Sequence, residues 1–257
     1  MNVGIVGCNG RVGKLLIKEL LSGDWKEHEL VLAGGSAREG IEIEGDFFTT
    51  PHVPELFERS DVIIDFTLPE GTIAHAELAV EHKTALIVGT TGLDAEHENI
   101  LKTAANKTPI VYAANMSIGV NILLALVEKA AARLSDDWDI EIFESHHKYK
   151  VDAPSGTALA LGKAAATGRG NSLEKLAEYE RCAKVGTREK GTIGFSVARG
   201  GDVVGEHTVF YYGEGERLEL SHKATNRSLF AKGALRAASW IKDKEPGLYS
   251  MRDVLDL

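Results

Sequence analysis

The run Val3-Gly4-Ile5-Val6 leads directly into Gly7-Cys8-Asn9-Gly10-Arg11-Val12-Gly13, and an amphipathic stretch, Arg11–Leu21, follows at once. A buried strand that turns through spaced glycines into a helix leaves a chain few folds to choose from. Glycine allows the tight turn and lets backbone approach a pyrophosphate closely. The helix start adds N–H groups outside the helical ladder and the positive end of a dipole. The spacing is G-x-x-G-x-x-G rather than the commoner G-x-G-x-x-G, but the physics is similar. Gly7, Cys8, Asn9, Gly10, Arg11 and Val12 are therefore candidate cofactor-binding residues. Taken alone, such a motif also fits a glycine-rich turn with no ligand.

The rest of the first half repeats the strand-then-helix rhythm. Apolar runs at Leu30–Ala33, Val62–Phe66, Ala85–Val88 and Ile110–Ala113 alternate with helical patterns at Gly71–Glu81, Asp94–Ala105 and Ile118–Leu134. This predicts an α/β fold, a Rossmann-like doubly wound parallel sheet with helices on both faces. The second half differs. Asp139–Ser145 alternates polar and apolar residues, and Thr192–Ala198, Glu206–Tyr212 and Glu216–Ser221 read as strands separated by glycine-rich turns. That predicts a second α+β domain with a mixed or antiparallel sheet. The helical tail, Ser228–Lys242 and a short segment near Tyr249–Leu257, is expected to return to the first domain. The expected division is residues 1–117 with 227–257 for dinucleotide binding, and 118–226 for substrate binding and oligomerisation.

Composition limits the partners. The 257 residues carry a formal net charge of −9. Nucleic acid and anionic membrane surfaces demand the opposite sign, so neither is expected as a partner. A small anion in a local basic pocket remains compatible. The two cysteines, Cys8 and Cys182, form no CxxC pattern, which speaks for reduced thiols and against a thiolate metal site. No leader is visible ahead of the first strand and no apolar run reaches transmembrane length, so a cytoplasmic location is expected.

Three further loops fall at strand ends, where doubly wound sheets bind ligands. After the second strand come Gly34-Gly35-Ser36-Ala37-Arg38, with no acidic residue before Glu39 to accept bonds from a ribose. Arg38, with Ser36 as a helper, suits a 2′-phosphate, so NADPH is favoured slightly over NADH. A solvated loop charge is the plainer reading of the same arginine. Gly89-Thr90-Thr91-Gly92 and Ala113-Ala114-Asn115-Met116-Ser117 offer small and hydroxyl-bearing residues suited to a cofactor, or to ordinary turns.

The densest chemistry lies in Glu144-Ser145-His146-His147-Lys148-Tyr149-Lys150-Val151-Asp152-Ala153-Pro154-Ser155-Gly156-Thr157-Ala158. Pro154 suits a helix entry and Ser155 an N-cap. Gly156 and Thr157 then present first-turn amides to a carboxylate. His146, His147, Lys148 and Lys150 stand just upstream, a basic pocket for a dianionic small molecule. Histidine moves protons near neutral pH, and lysine supplies positive charge or an acid. Adjacent histidines on a strand face opposite ways, so the pair makes a poor metal site and no metal is expected. Lys148 is expected to be solvated. His28, His52, His75, His82, His97, His207 and His222 have no evident partner in sequence and are expected on the surface or in the core.

This segment resembles the signature of the 4-hydroxy-tetrahydrodipicolinate (dihydrodipicolinate) reductase family. The resemblance runs along nearly the whole chain. It takes in Asp65-Phe66-Thr67, Arg199-Gly200-Gly201, Val204-Gly205-Glu206-His207, Glu216-Arg217-Leu218-Glu219, Ser221-His222-Lys223-Ala224 and Met251-Arg252-Asp253-Val254-Leu255. It implies NADPH- or NADH-dependent reduction of a cyclic dicarboxylate in the diaminopimelate–lysine pathway. By matching position it implies His146 as proton donor and acceptor and Lys150 as the second acid. It further implies that His147 binds substrate and that Gly156 and Thr157 hold a carboxylate. Ser155 at the helix entry is a candidate substrate-binding residue, and Gly89, Thr90, Thr91, Ala113, Ala114, Asn115 and Met116 at the strand ends are candidate cofactor-binding residues. A homotetramer built through the second domain is implied as well. Met116 stands where a phenylalanine is common. Competing readings are another two-domain nicotinamide dehydrogenase of amino-acid metabolism, such as an aspartate dehydrogenase, and a non-catalytic dinucleotide sensor. The His146-His147-x-x-Lys150 segment argues against the first, and the intact set of His146, Lys150, Gly156 and Thr157 against the second.

Overall fold

The computed structural model describes residues 1–41, 43–181 and 185–257. Cys182 lies outside them; Cys8 is a free, buried thiol. In chain order the elements are β1 (Asn2–Val6), α1 (Arg11–Ser22), β2 (Val31–Ser36), β3 (Thr49–Thr50), α2 (Val53–Glu58), β4 (Val62–Asp65), α3 (Pro69–His82), β5 (Ala85–Val88), α4 (Ala95–Ala104), β6 (Pro109–Tyr112) and α5 (Ile118–Arg133). Then come β7 (Asp139–His146), α6 (Gly156–Gly168), α7 (Leu173–Leu176), β8 (Ala177–Glu178), β9 (Ile193–Arg199), β10 (Gly205–Gly213), β11 (Glu216–Ala224), α8 (Ser228–Trp240), β12 (Gly247–Tyr249) and α9 (Met251–Leu255). The chain divides into two compact units, Met1–Ile118 with Ser228–Leu257, and Gly119–Arg227.

The first unit holds a seven-stranded parallel sheet in the order β12-β6-β5-β4-β1-β2-β3. The order reverses between β1 and β4, which creates the crevice at the strands' carboxyl ends where such sheets take ligands. Strands buried on both faces need continuous apolar runs, and β4 and β5 supply them: Val62, Ile63, Ile64, Leu86, Ile87 and Val88 are fully buried. One core joins β1 and α1 to α8, through Leu16, Ile17, Ala234 and Ala238, so the tail does return to this unit. A second core, around Leu56, Phe57, Ile63 and Leu101, lies under α2, α3 and α4.

Helix ends follow local chemistry. Pro69 occupies the first turn of α3, which therefore begins ahead of the Gly71 expected from periodicity. Asp94 is the N-cap of α4, accepting from Glu96 N and His97 N, while His97 closes a capping box. The short β3, α2, α7, β8 and β12 carry too few residues to show a period, and the sequence reading lacks them.

The second unit holds a mixed five-stranded sheet in the order β11-β10-β7-β9-β8. β10 runs antiparallel to β7 and β11, whereas β9 runs parallel to β7 and β8. Alternation along β7 buries Ile140, Ile142, Glu144 and His146 on one face. There Ile140 and Ile142 join Leu123, Val127, Leu161 and Tyr211 in one core, and the Tyr211 hydroxyl donates to Val127 O at 2.8 Å. Glu144 and His146 continue that face beyond the apolar core.

Candidate active site

Two groups of residues emerge, one in each unit. The first is the crevice at the β1/β4 reversal, a cleft of about 610 Å³ lined by Gly7, Gly10, Ser36, Arg38, Phe66 and Thr67, among others. Gly7 has φ +66°, a conformation that favours glycine, and Gly10 N donates to Gly7 O at 2.9 Å. A Cβ on Gly13 would lie 2.5 Å from Gly7 O and 2.8 Å from Cys8 Cα, so the turn closes tightly on α1 only with glycine there. Asn9 also lines the cleft. Arg11 is exposed and Val12 half-buried against the core.

Several predicted cofactor residues have side chains facing elsewhere. Cys8 turns into the core, where its thiol would meet a Cβ on Gly35, and burial pushes its pKa up; only its backbone is available to a ligand. Met116 is buried with Ala231 and Ala234. Thr90 is buried, with its hydroxyl on Thr72 at 2.8 Å and Asp65 at 3.4 Å. Gly89 lies under the Phe66 ring, which would stand 2.2 Å from a Cβ at that position. Thr91 and Ala114 are exposed; Ala113 and Asn115 are half-buried, and Asn115 accepts from Ser117 N.

Sequence reasoning missed the residue beneath this crevice. Asp65, fully buried at the end of β4, accepts from Thr67 N and Thr67 Oγ1 at 2.7 Å and pairs with His75 Nδ1 at 2.8 Å. Burial alone would raise its pKa, but His75 and Thr67 outweigh that and hold the carboxyl below its ordinary range. His75 also lines the cleft. The signal was an aspartate ending an otherwise apolar strand.

The second group is built on β7 and the loop to α6. His146, 8% exposed, places Nδ1 2.6 Å from Glu144 Oε2. Burial lowers the His146 pKa, Glu144 opposes this, Lys150 and Arg199 add to the lowering, and the net effect is downward. Gly205 leaves room ahead of the ring: a Cβ there would stand 3.0 Å from Nε2. Lys150 is ion-paired with Asp152 at 2.8 Å, which holds that carboxyl below its usual range. His147 is half-buried, its N donates to Val203 O, and its Nε2 lies 3.5 Å from Arg227 Nη2. Lys148 is exposed, as expected.

The helix entry forms as its residues dictate. Ser155 is the N-cap of α6 and its hydroxyl accepts from Ala158 N at 3.2 Å. Gly156 and Thr157 occupy the first helical turn, and space around Gly156 is open. Ser155 N donates to Glu144 Oε1 at 3.0 Å, so the helix entry and His146 share one carboxylate. His207, which shows no partner in sequence, meets Ser155 Oγ at 3.0 Å and packs edge-on against His146, with ring centroids 5.1 Å apart. Glu144, Arg199 and His207 were missed as site residues. For Glu144 the alternation of β7 was the available signal, since it shares the buried face with Ile140 and Ile142.

Among the described residues no cluster of His, Cys, Asp or Glu suits a metal ion, and no helix is long and apolar enough to cross a membrane.

A glycine turn at the switch point of a parallel sheet, with a separate unit presenting a carboxylate-held histidine and a capped helix start, defines a dinucleotide-binding oxidoreductase. Family models for the N-terminus and C-terminus of dihydrodipicolinate reductase match residues 1–116 and 119–255. The chain belongs to the dihydrodipicolinate reductase family, and it is a reductase of diaminopimelate and lysine biosynthesis. It is 47% identical to the 4-hydroxy-tetrahydrodipicolinate reductase of Zymomonas mobilis, over 100% of this chain and 98% of the relative. It is 48% identical to that of Nitratiruptor sp., over 100% of both chains. Its fold matches a dipicolinate-bound dihydrodipicolinate reductase from Paenisporosarcina sp. TG-14 with a TM-score of 0.81 at 22% identity, covering 97% of each chain. Aspartate dehydrogenase from Thermotoga maritima shares the fold at a TM-score of 0.52 and 13% identity, covering 95% of this chain and 98% of that one.

Proposed function

We propose that this chain reduces 4-hydroxy-tetrahydrodipicolinate to tetrahydrodipicolinate with His146 and Lys150 as its proton-handling pair. The observation that carries the reading is the joint hold of Glu144 on His146 Nδ1 and on the Ser155 amide at the entry to α6. A group that exchanges protons and a helix start that binds carboxylates are thereby fixed to each other.

The glycine turn at Gly7–Gly13 and the cleft it lines fit a dinucleotide: Gly7 and Gly10 give the backbone approach, the start of α1 receives the phosphates, and Arg38 meets a 2′-phosphate. NADPH is preferred to NADH on that arginine. The bound reduced nicotinamide supplies the hydride. On the protein side, the Gly156 and Thr157 amides with His147 and Ser155 hold the dicarboxylate. With Nδ1 committed to Glu144, Nε2 of His146 exchanges the ring proton, while Lys150 steadies developing negative charge and supplies the proton with which the 4-hydroxyl leaves as water, so that one hydride and one net proton enter for each water lost. The enzyme acts as a cytoplasmic homotetramer assembled through its second unit.

The test is NADPH absorbance, followed while dihydrodipicolinate synthase generates the substrate in situ. Oxidation that starts only with the synthase product supports the reading; none, with cofactor bound, overturns it.

A further inference from the structure

Glu144 is 1% exposed, and all of its bonding capacity is engaged. Oε2 accepts from His146 Nδ1 at 2.6 Å and Arg199 Nη1 at 2.7 Å; Oε1 accepts from Ser155 N at 3.0 Å and Arg199 Nη2 at 2.8 Å. Four donors on two oxygens use every acceptor site a carboxylate has. Arg199 is fixed in turn, since Nη1 also donates to Ala198 O and Nη2 to Asp152 O. Asp152 is the residue that pairs with Lys150. His146, the start of α6 and the loop bearing Lys150 thus all meet at one side chain.

We infer that Glu144, locked by Arg199, is the positioning residue of this site: it fixes His146 as the Nδ1–H tautomer with Nε2 toward substrate, and ties that ring to the helix start that receives the carboxylate. A carboxylate can only accept, so the proton between it and Nδ1 resides on the ring and Nε2 carries the lone pair. When Nε2 takes a proton, the same carboxylate steadies the imidazolium. Glu144 itself stays ionised: burial pushes its pKa up, but Arg199, His146 and the Ser155 amide hold it below the ordinary range. The charged or titratable groups facing His146 are Glu144 on its own strand, Lys150 from the loop, Arg199 from β9, and His207 from β10, which has His222 opposite on β11; Asp152 pairs with Lys150 and, through its carbonyl, with Arg199.

Glu144→Gln is nearly isosteric but cannot satisfy the same four donors. In either amide orientation its NH₂ faces an Arg199 N–H and one of His146 Nδ1 or Ser155 N. The inference rests on the proposed role of His146, and the experiment separates the two. Turnover, its pH profile and ¹⁵N spectra of histidine-labelled enzyme are measured for the native chain, His146→Ala, Glu144→Gln and Glu144→Asp. In Glu144→Gln, kcat falls about 10²- to 10⁴-fold, as expected for loss of tautomer and imidazolium support. The acid limb moves to lower pH, because the neutral ring is the working form and loss of the carboxylate lowers its pKa, and the signal missing from His146→Ala shows an Nε2–H population. Glu144→Asp, which keeps the charge on a shorter arm, restores the limb while kcat recovers only in part, and this variant reads the effect if the amide variant fails to fold. A folded Glu144→Gln with native limb and native tautomer, or a Glu144→Asp whose limb stays with that of Glu144→Gln, overturns the positioning role while leaving His146 in place. Full turnover in His146→Ala overturns the role of His146 itself.

Discussion

Ser155 Oγ lies 3.0 Å from His207 Nε2, inside the second unit, with His207 only 4% exposed. The serine hydroxyl also accepts from Ala158 N, and it donates to or accepts from the imidazole according to the His207 tautomer. Burial, the largest effect, and the neighbouring His146 push the His207 pKa down to about 4. The imidazole is therefore neutral in the folded protein at neutral pH.

A pH dependence of stability follows. Unfolded chains protonate His207 near its ordinary value of 6.5, while the folded state refuses that proton until about pH 4. Stability is fully present above pH 6.5 and declines as pH falls toward 4, by on the order of 3 kcal/mol from this residue. His146 and His222 are shifted in the same direction and add to the loss. Urea unfolding between pH 7 and pH 4 measures it. His207→Gln is less stable at pH 7 but shows a shallower slope; an unaltered slope would assign the effect elsewhere.

Loss of either proton-handling side chain should spare cofactor binding, because the glycine cleft belongs to the other unit. His146→Ala and Lys150→Ala are each expected to lower kcat about 10²- to 10⁴-fold. Quenching of protein fluorescence by NADPH should give the native Kd in both. A variant with undiminished turnover removes its residue from the proposed pair.

Arg38 stands exposed at the edge of the cleft, near the end of β2. On the proposed reading, the guanidinium there recognises the phosphate that distinguishes the two nicotinamide cofactors. Arg38→Ala should raise the KM for NADPH about 10-fold or more, the worth of one or two charge-assisted bonds, and change that for NADH far less. Equal effects on both would place Arg38 away from the 2′ position.

Gly13→Ala tests the turn itself. The new methyl would meet backbone atoms of Gly7 and Cys8 at 2.5–2.8 Å, and backbone cannot swing aside as a side-chain end can. The expected cost is about 1–3 kcal/mol of stability, together with loss of NADPH binding. Thermal unfolding with and without NADPH reads both: the native protein should gain Tm from the cofactor and the variant should not.

The extent to which the site was legible in the sequence varies residue by residue. The Ser155 cap and the α6 entry were readable because proline and serine act on the turn in which they sit. His146 was readable as a titratable group but not as a buried one. His207 was passed over because its partner, Ser155, lies 52 positions away. Asp65 was quoted without a role because His75 and Thr90, 10 and 25 positions on, reach it only after the sheet has formed. Cys8 and Met116 lie in stretches expected to touch the cofactor, yet their side chains pack into the core, a choice set by the far wall of Gly35 in one case and Ala231 in the other.

What the sequence determined by itself is therefore the local order: a strand, a glycine turn and a helix; the alternation of strand with helix; the change of period at β7; the capped start of α6. These depend on neighbours within a few positions, where backbone sterics and side-chain period act. What only the tertiary structure decided is the company each polar group keeps. Glu144 gains its role because folding brings Arg199, 55 residues away, and Ser155 to the carboxylate that His146 already faces. A buried charge must be matched by donors from wherever the chain returns, and the pairing of strands sets where that is.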